Sequence, residues 1–168
     1  YYGRGPWNNY ADRETGAFVG EYSSSVAEQF VPFPKPQSMG NREGVRYGRL
    51  TDETGERGLM IMIHGGSMSV LPYSQMQLAM APHPHQLPVS DGTYVHMDLA
   101  VTGLGGNSCG QGGPLAPDRV MGGPHTMTLQ IRPLHADGVV ATPTALPVTM
   151  RRSATGLLTL SGSSPIRY

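Results

Sequence analysis

The chain has 168 residues, of which 38% are hydrophobic and 14% charged, and its formal net charge is zero. Lys35 and eleven scattered arginines form no basic run, which excludes the electrostatic footprint of a nucleic-acid binder. No apolar stretch approaches the ~20 residues of a membrane-spanning helix, so a membrane is not an expected partner either. With 23 Gly and 15 Pro the sequence favours many short strands joined by turns, an all-β class. Cys109 is the only cysteine and has no partner for an internal disulfide, so cysteine usage selects no compartment. The chain opens at Tyr1 with neither an initiating Met nor a signal peptide, and we expect a fragment of a longer protein.

Tyr2-Gly3-Arg4-Gly5-Pro6-Trp7-Asn8-Asn9-Tyr10-Ala11-Asp12-Arg13 is crowded with turn formers and aromatic residues and reads as an ordered loop. Residues 22–31 alternate only faintly, and Val31-Pro32-Phe33-Pro34-Lys35-Pro36 must run extended, along an edge, because each proline fixes its own φ and biases its predecessor away from helix. Residues 42–50 place Val45 and Tyr47 on one face. Residues 51–57 read as a hairpin loop, and Gly58-Leu59-Met60-Ile61-Met62-Ile63 as a strand buried on both sides. After Tyr73, Ser74 caps a short helix through Gln75-Met76-Gln77, Gln77 reaches back, and Pro82 prevents continuation. Residues 94–101 alternate, with Val95, Met97, Leu99 and Val101 on one face and Tyr94, His96, Asp98 and Ala100 on the other. Residues 126–131 repeat the pattern with Met127, Leu129 and Ile131 inward. Strands at intervals of roughly ten residues predict an antiparallel β-sandwich with one short helix.

Six ordered blocks carry a family resemblance. They are Gly3-Arg4-Gly5-Pro6-Trp7 with Asn9-Tyr10-Ala11-Asp12-Arg13, Glu28-Gln29 before the proline-rich segment, Gln37-Ser38-Met39-Gly40-Asn41-Arg42, Ser69 to Leu78 with Pro72-Tyr73-Ser74, His83-Pro84-His85-Gln86-Leu87, and Asp98 with Gly103-Leu104-Gly105-Gly106-Asn107-Ser108. Over residues 1–133 the chain resembles the small-chain domain of family-two β-galactosidases. That resemblance implies a galactose mutarotase-like supersandwich, of which this chain is the second half, with an exposed sheet edge that encourages self-association into a homo-oligomer. It implies as partners the catalytic barrel domain and the remaining half of the sandwich in the parent chain, and carbohydrate as ligand. Residues 134–148, with Pro143 and Pro147, suit a linker. Residues 149–168, with Gly156-Leu157-Leu158-Thr159-Leu160 and Ser164-Pro165-Ile166-Arg167-Tyr168, resemble the start of the immunoglobulin-like module at the C-terminus of chitobiases, cut short.

No catalytic residue is assigned. A retaining glycosidase needs two carboxylates roughly 5 Å apart, and Glu14, Glu21 and Glu28 sit seven apart in a segment without helical period, which suits solvated carboxylates. By the resemblance, the catalytic glutamates belong to the barrel domain. His83 and His85 are the only histidine pair at a spacing a metal could use, but no further ligand lies near them in sequence, so neither a metal nor any other cofactor is expected in this chain; they are read as satisfying polar groups beneath the helix turn. Ser108, His96 and Asp98 are the types of a Ser–His–Asp arrangement without a nucleophile elbow, and His96 and Asp98 share a strand face. Cys109 lacks a basic neighbour that would activate it.

The glycine-rich run after Leu99 follows a strand without opening a helix, unlike a phosphate cradle. The resemblance places this loop near the sugar pocket of the barrel domain, so Gly105, Gly106, Asn107, Ser108 and Cys109 are the candidate substrate-proximal residues. Where some relatives offer a sugar-facing tryptophan this chain offers Cys109, which has no broad apolar face. A different class of function, an independent carbohydrate-binding module, would use Trp7, Tyr10 and Tyr22 as a stacking platform; against it, Trp7 lies within the resemblance and packing accounts for it. A third is a purely structural domain that braces the barrel and builds the oligomer.

Overall fold

The computed structural model describes residues 1–104 and 113–134 in full, and the backbone of 149–152 and 158–161. Two compact units emerge, one formed by Tyr1–Leu50 with Met60–Ile131 and one by Thr51–Leu59 with Arg132–Tyr168.

A five-stranded sheet has the order β2-β1-β3-β4-β7, built from β1 (Tyr2–Gly5), β2 (Phe18–Glu21), β3 (Tyr47–Thr51), β4 (Gly58–His64) and β7 (Thr128–Leu134). A ribbon of β5 (Ser67–Leu71) and β6 (Tyr94–Asp98) faces it. Strand β1 was not evident from composition: Tyr2-Gly3-Arg4-Gly5 reads as loop but pairs antiparallel with β2, residue by residue, from Tyr2 opposite Glu21 to Gly5 opposite Phe18. The glycines are there for close approach, since a Cβ on Gly3 would come within 2.9 Å of the Val45 backbone.

The ribbon explains how the chain makes a core. Along β5 and β6, Met68 stands opposite Met97 and Val70 opposite Val95, and this face packs on Val45, Ile61 and Ile63, with Tyr1, Leu50, Met127 and Leu129 at the margin. Two faces of alternating strands thus close on one apolar layer, the β-sandwich that the alternation predicts. Burying each such aliphatic side chain is worth about 1.5–3 kcal/mol. Strand β4 is not buried on both sides: Ile61 and Ile63 point inward, while on the other face Met60 and Met62 are only half-buried and His64 is exposed. Met127 and Leu129 do pack inward, but Ile131 is 49% exposed, because β7 is the outer strand of the sheet.

Helix α1 (Gln75–Met80) forms as the sequence dictates. Ser74 Oγ accepts the Gln77 amide at 3.1 Å while the Gln77 side chain accepts the Ser74 amide at 2.7 Å, a complete capping box. Its buried residue Leu78 packs with Leu71 and Met39 in a second apolar cluster, and Lys35 Nζ donates to the carbonyls of Ala79 and Ala81 at its end. The proline segment before it joins no sheet and bends at Pro34–Lys35, with Pro36 fully buried.

In the second unit, the hairpin loop closes through the Asp52 amide, which donates to the Arg57 carbonyl at 2.9 Å. There too β8 (Thr149–Arg152) pairs antiparallel with β9 (Leu158–Ser161). Residues 135–148 and 162–168, where the linker and the Ile-Arg-Tyr segment are expected, lie outside the described residues.

Candidate functional site

The sequence blocks converge on one scaffold. After the cis Gly5–Pro6 peptide the chain turns so that Asn9, 3% exposed, donates through Nδ2 to the carbonyls of Arg4 and Trp7 and accepts the Glu43 amide on Oδ1. Asn41 returns the link, donating from Nδ2 to the Asn9 carbonyl at 2.9 Å and to Glu43 Oε1 at 2.7 Å. Arg42, buried, donates to Tyr1 Oη, to the Gly40 and Asn41 carbonyls and to Gln29 Oε1. Asn9, Gln29, Asn41 and Arg42 are therefore bracing residues whose hydrogen bonds hold together residues 1–9, Gln29 and residues 40–43.

On this scaffold lies a cavity of about 380 Å³. Its wall is the second face of the β5–β6 ribbon, where Ser67 stands opposite Asp98 and Ser69 opposite His96. Ser69, His96 and Asp98 line it together with Tyr10 and Asn41. Burial pushes the Asp98 carboxyl above the ordinary carboxylate range, with His96 opposing the shift. Burial likewise raises Glu43, the Asn41 hydrogen bond opposing it and Glu14 and Asp98 adding to the rise. Glu43 does not line the cavity, so the pair does not flank a common space as a glycosidase's carboxylates must.

The glycine-rich loop leaves from the same place, and its stem is fixed. The Gly103 amide donates to the Asp118 carbonyl at 2.8 Å, the Leu104 amide to Asp12 Oδ1 at 3.1 Å and the Val120 amide to Thr102 Oγ1 at 3.1 Å. A Cβ on Gly103 would meet Asp12 Cγ at 2.6 Å, which is why the loop begins with glycine. Asp12 belongs to the N-terminal block, so one sequence block holds the base of another. Gly105, Gly106, Asn107, Ser108 and Cys109 lie outside the described residues.

Of the platform residues, Trp7 is 80% exposed whereas Tyr10 is 8% exposed and lines the cavity; the two rings do not share an open surface. Packing within this chain does not account for Trp7. Tyr22 is half-buried against Tyr1. The glutamates have local duties: Glu14 pairs with Arg4 at 3.1 Å, Glu21 accepts from Tyr47, and Glu28 accepts from the amide and hydroxyl of Ser25. His83 and His85 stack on each other, both exposed, rather than satisfying buried groups. Among the described residues no three His, Cys, Asp or Glu gather as a metal site.

The comparison with known families decides the matter: residues 1–131 match the family model described as beta galactosidase small chain. This chain belongs to the β-galactosidase small-chain family. Its relatives include the β-galactosidase of Priestia megaterium, 37% identical over 111 residues, or 66% of this chain and 11% of that protein. A β-galactosidase of Lactobacillus delbrueckii subsp. bulgaricus is 40% identical over 109 residues, 64% of this chain and 10% of that protein. Beta-galactosidase BgaC of Bifidobacterium adolescentis is 35% identical over 111 residues, with 64% and 10% covered. The matched part thus spans about a tenth of the length of these β-galactosidases. Within the β-galactosidase small-chain domain, the braced residues fall in the blocks by which the sequence resembles the family. What the sequence did not disclose is the cavity, although the shared polar face of Ser67-x-Ser69 and His96-x-Asp98 carries its signal.

Proposed function

We propose that this chain is a non-catalytic accessory domain of a β-galactosidase-type glycoside hydrolase. It shapes one side of the sugar pocket and supports assembly with the catalytic barrel domain, the rest of the sandwich and other subunits. The parent hydrolyses terminal β-D-galactosides with retention, through carboxylates outside this chain. The observation that carries this reading is membership of the small-chain family over residues 1–131 in a match that spans only a tenth of the related β-galactosidases. The fixed stem at Gly103 and Leu104 supports a positioned rather than a free loop, and Gly105–Cys109 is the part presented to substrate. Residues 134–148 then serve as a linker to a second β module from 149 onward. The test is to replace residues 105–109 in the parent enzyme by an equally long glycine-serine segment. KM for a chromogenic β-galactoside should rise with folding intact; an unchanged KM and kcat would remove the loop from the pocket.

The exposure of Trp7 favours a second reading, an independent carbohydrate-binding module that stacks sugar on this ring. Saturable quenching of Trp7 fluorescence by lactose, without hydrolysis, would support it, and no response would leave the accessory role alone.

A further inference from the structure

The polar face of the β5–β6 ribbon offers more hydrogen-bonding capacity than the chain itself uses. The Asp98 carboxyl lines the cavity half-buried, and none of the described residues donates a hydrogen bond to it. On either side of it in the ribbon, Ser67 Oγ and His96 Nε2 are buried and have no hydrogen-bond partner among the described residues. Folded proteins satisfy nearly all buried polar groups, and two such exceptions beside the half-buried Asp98 carboxyl, on one face of the ribbon, point to recognition rather than to packing.

The lining defines the ligand. Among the described residues no Lys or Arg lines the cavity, so an anion would find no counter-charge, and Asp98 is the only carboxylate, too few for a divalent cation, which wants several oxygen ligands. The lining also includes the apolar side chains of Met39, Ala100, Val101 and Val120. A volume of about 380 Å³ falls in the ~300–1,000 Å³ range of small-molecule sites. Hydrogen-bond acceptors and apolar side chains in one lining complement a ring with hydroxyls at its edge and C–H groups on its face.

We propose that this cavity binds a small uncharged polyhydroxylated molecule of monosaccharide size, with the Asp98 carboxylate accepting its hydroxyls and Ser69 and the His96 ring beside it. The residues assigned here, Ser69, His96 and Asp98, do not include 105–109, so the site stands whether or not the accessory role does. His96 Nε2 lies behind the wall, so a hydroxyl held at Asp98 reaches it only through an adjustment of the imidazole, which makes that ring the reporter of occupancy.

The test is an NMR titration of the full 168-residue chain, following the His96 imidazole and the amides of Ser69 and Asn41. Galactose and glucose are the probes, with inorganic phosphate and magnesium chloride run in parallel. The sugars should shift the His96 resonances saturably, and Asp98→Asn should weaken the effect about tenfold or more, as loss of a charge-assisted hydrogen bond does. Asp98→Asn keeps the side-chain shape, and the core methyl signals of Val45 and Ile61 verify its fold; should they collapse, Ser69→Ala makes the same comparison. Unshifted His96 resonances at the highest soluble sugar concentration, equal affinity in a folded variant, or saturation by phosphate or magnesium alone would each overturn the assignment.

Discussion

Asn9 binds the N-terminal block to the segment around Glu43: its carboxamide meets Arg4, Trp7 and Glu43, and its main-chain carbonyl receives Asn41. Removing the carboxamide leaves two carbonyls and one amide unpaired, so Asn9→Ala should cost about 3 kcal/mol, at roughly 1 kcal/mol per hydrogen bond. Urea unfolding followed by circular dichroism measures it, and a loss under about 1 kcal/mol would show that water replaces the bonds. Asp98 makes a prediction of opposite sign. Its carboxyl is raised in the folded chain, chiefly by burial, so folding favours its protonated form. Its contribution to stability is full below the ordinary carboxylate range and is lost as pH rises through the elevated native value. Asp98→Asn should therefore raise Tm at neutral pH, with the gain vanishing in acid. A Tm series against pH decides this, and a neutral-pH loss would mean that the carboxylate has a favourable partner.

At the scale of elements, what was legible in the sequence was what is local. The Ser74 capping box and Pro82 specify α1 within eight residues, and the structure has both reciprocal bonds. Ser74→Ala should accordingly cost about 1 kcal/mol, read by urea unfolding. The alternation of Val95 and Met97 was equally readable because a strand's two faces differ in period two. Strand β1 was not, because Gly3 and Gly5 look like turn formers until β2 and Val45 are placed beside them. Ile131 shows the converse: alternation gives a face but not a strand's position in the sheet, and β7 is outermost. The loop stem depends on a similar long-range fit. Gly103→Ala should push Asp12 off the Leu104 amide and cost about 1–3 kcal/mol; proteolysis of the glycine-rich loop, compared between variant and wild type, should quicken.

For the whole molecule, the two layers of the sandwich explain why a sequence with few charges and many turns still folds: Val45, Ile61 and Ile63 of β4, and Met68 of β5 make one core. The class of fold was readable from periodicity, and the family from the ordered blocks, three of which supply the braces Asn9, Gln29, Asn41 and Arg42. The cavity was not readable, since it requires Ser69 to face His96 across a ladder between strands more than twenty residues apart in sequence. The central claim is that the chemistry lies outside this chain and that the chain completes the enzyme that holds it. The decisive measurement is hydrolysis of a chromogenic β-galactoside by the pure chain, by the parent enzyme lacking it, and by the two mixed. The account predicts no turnover by the chain, a weakened parent and recovery on mixing. Turnover by the pure chain, or full activity of the parent without it, would contradict it.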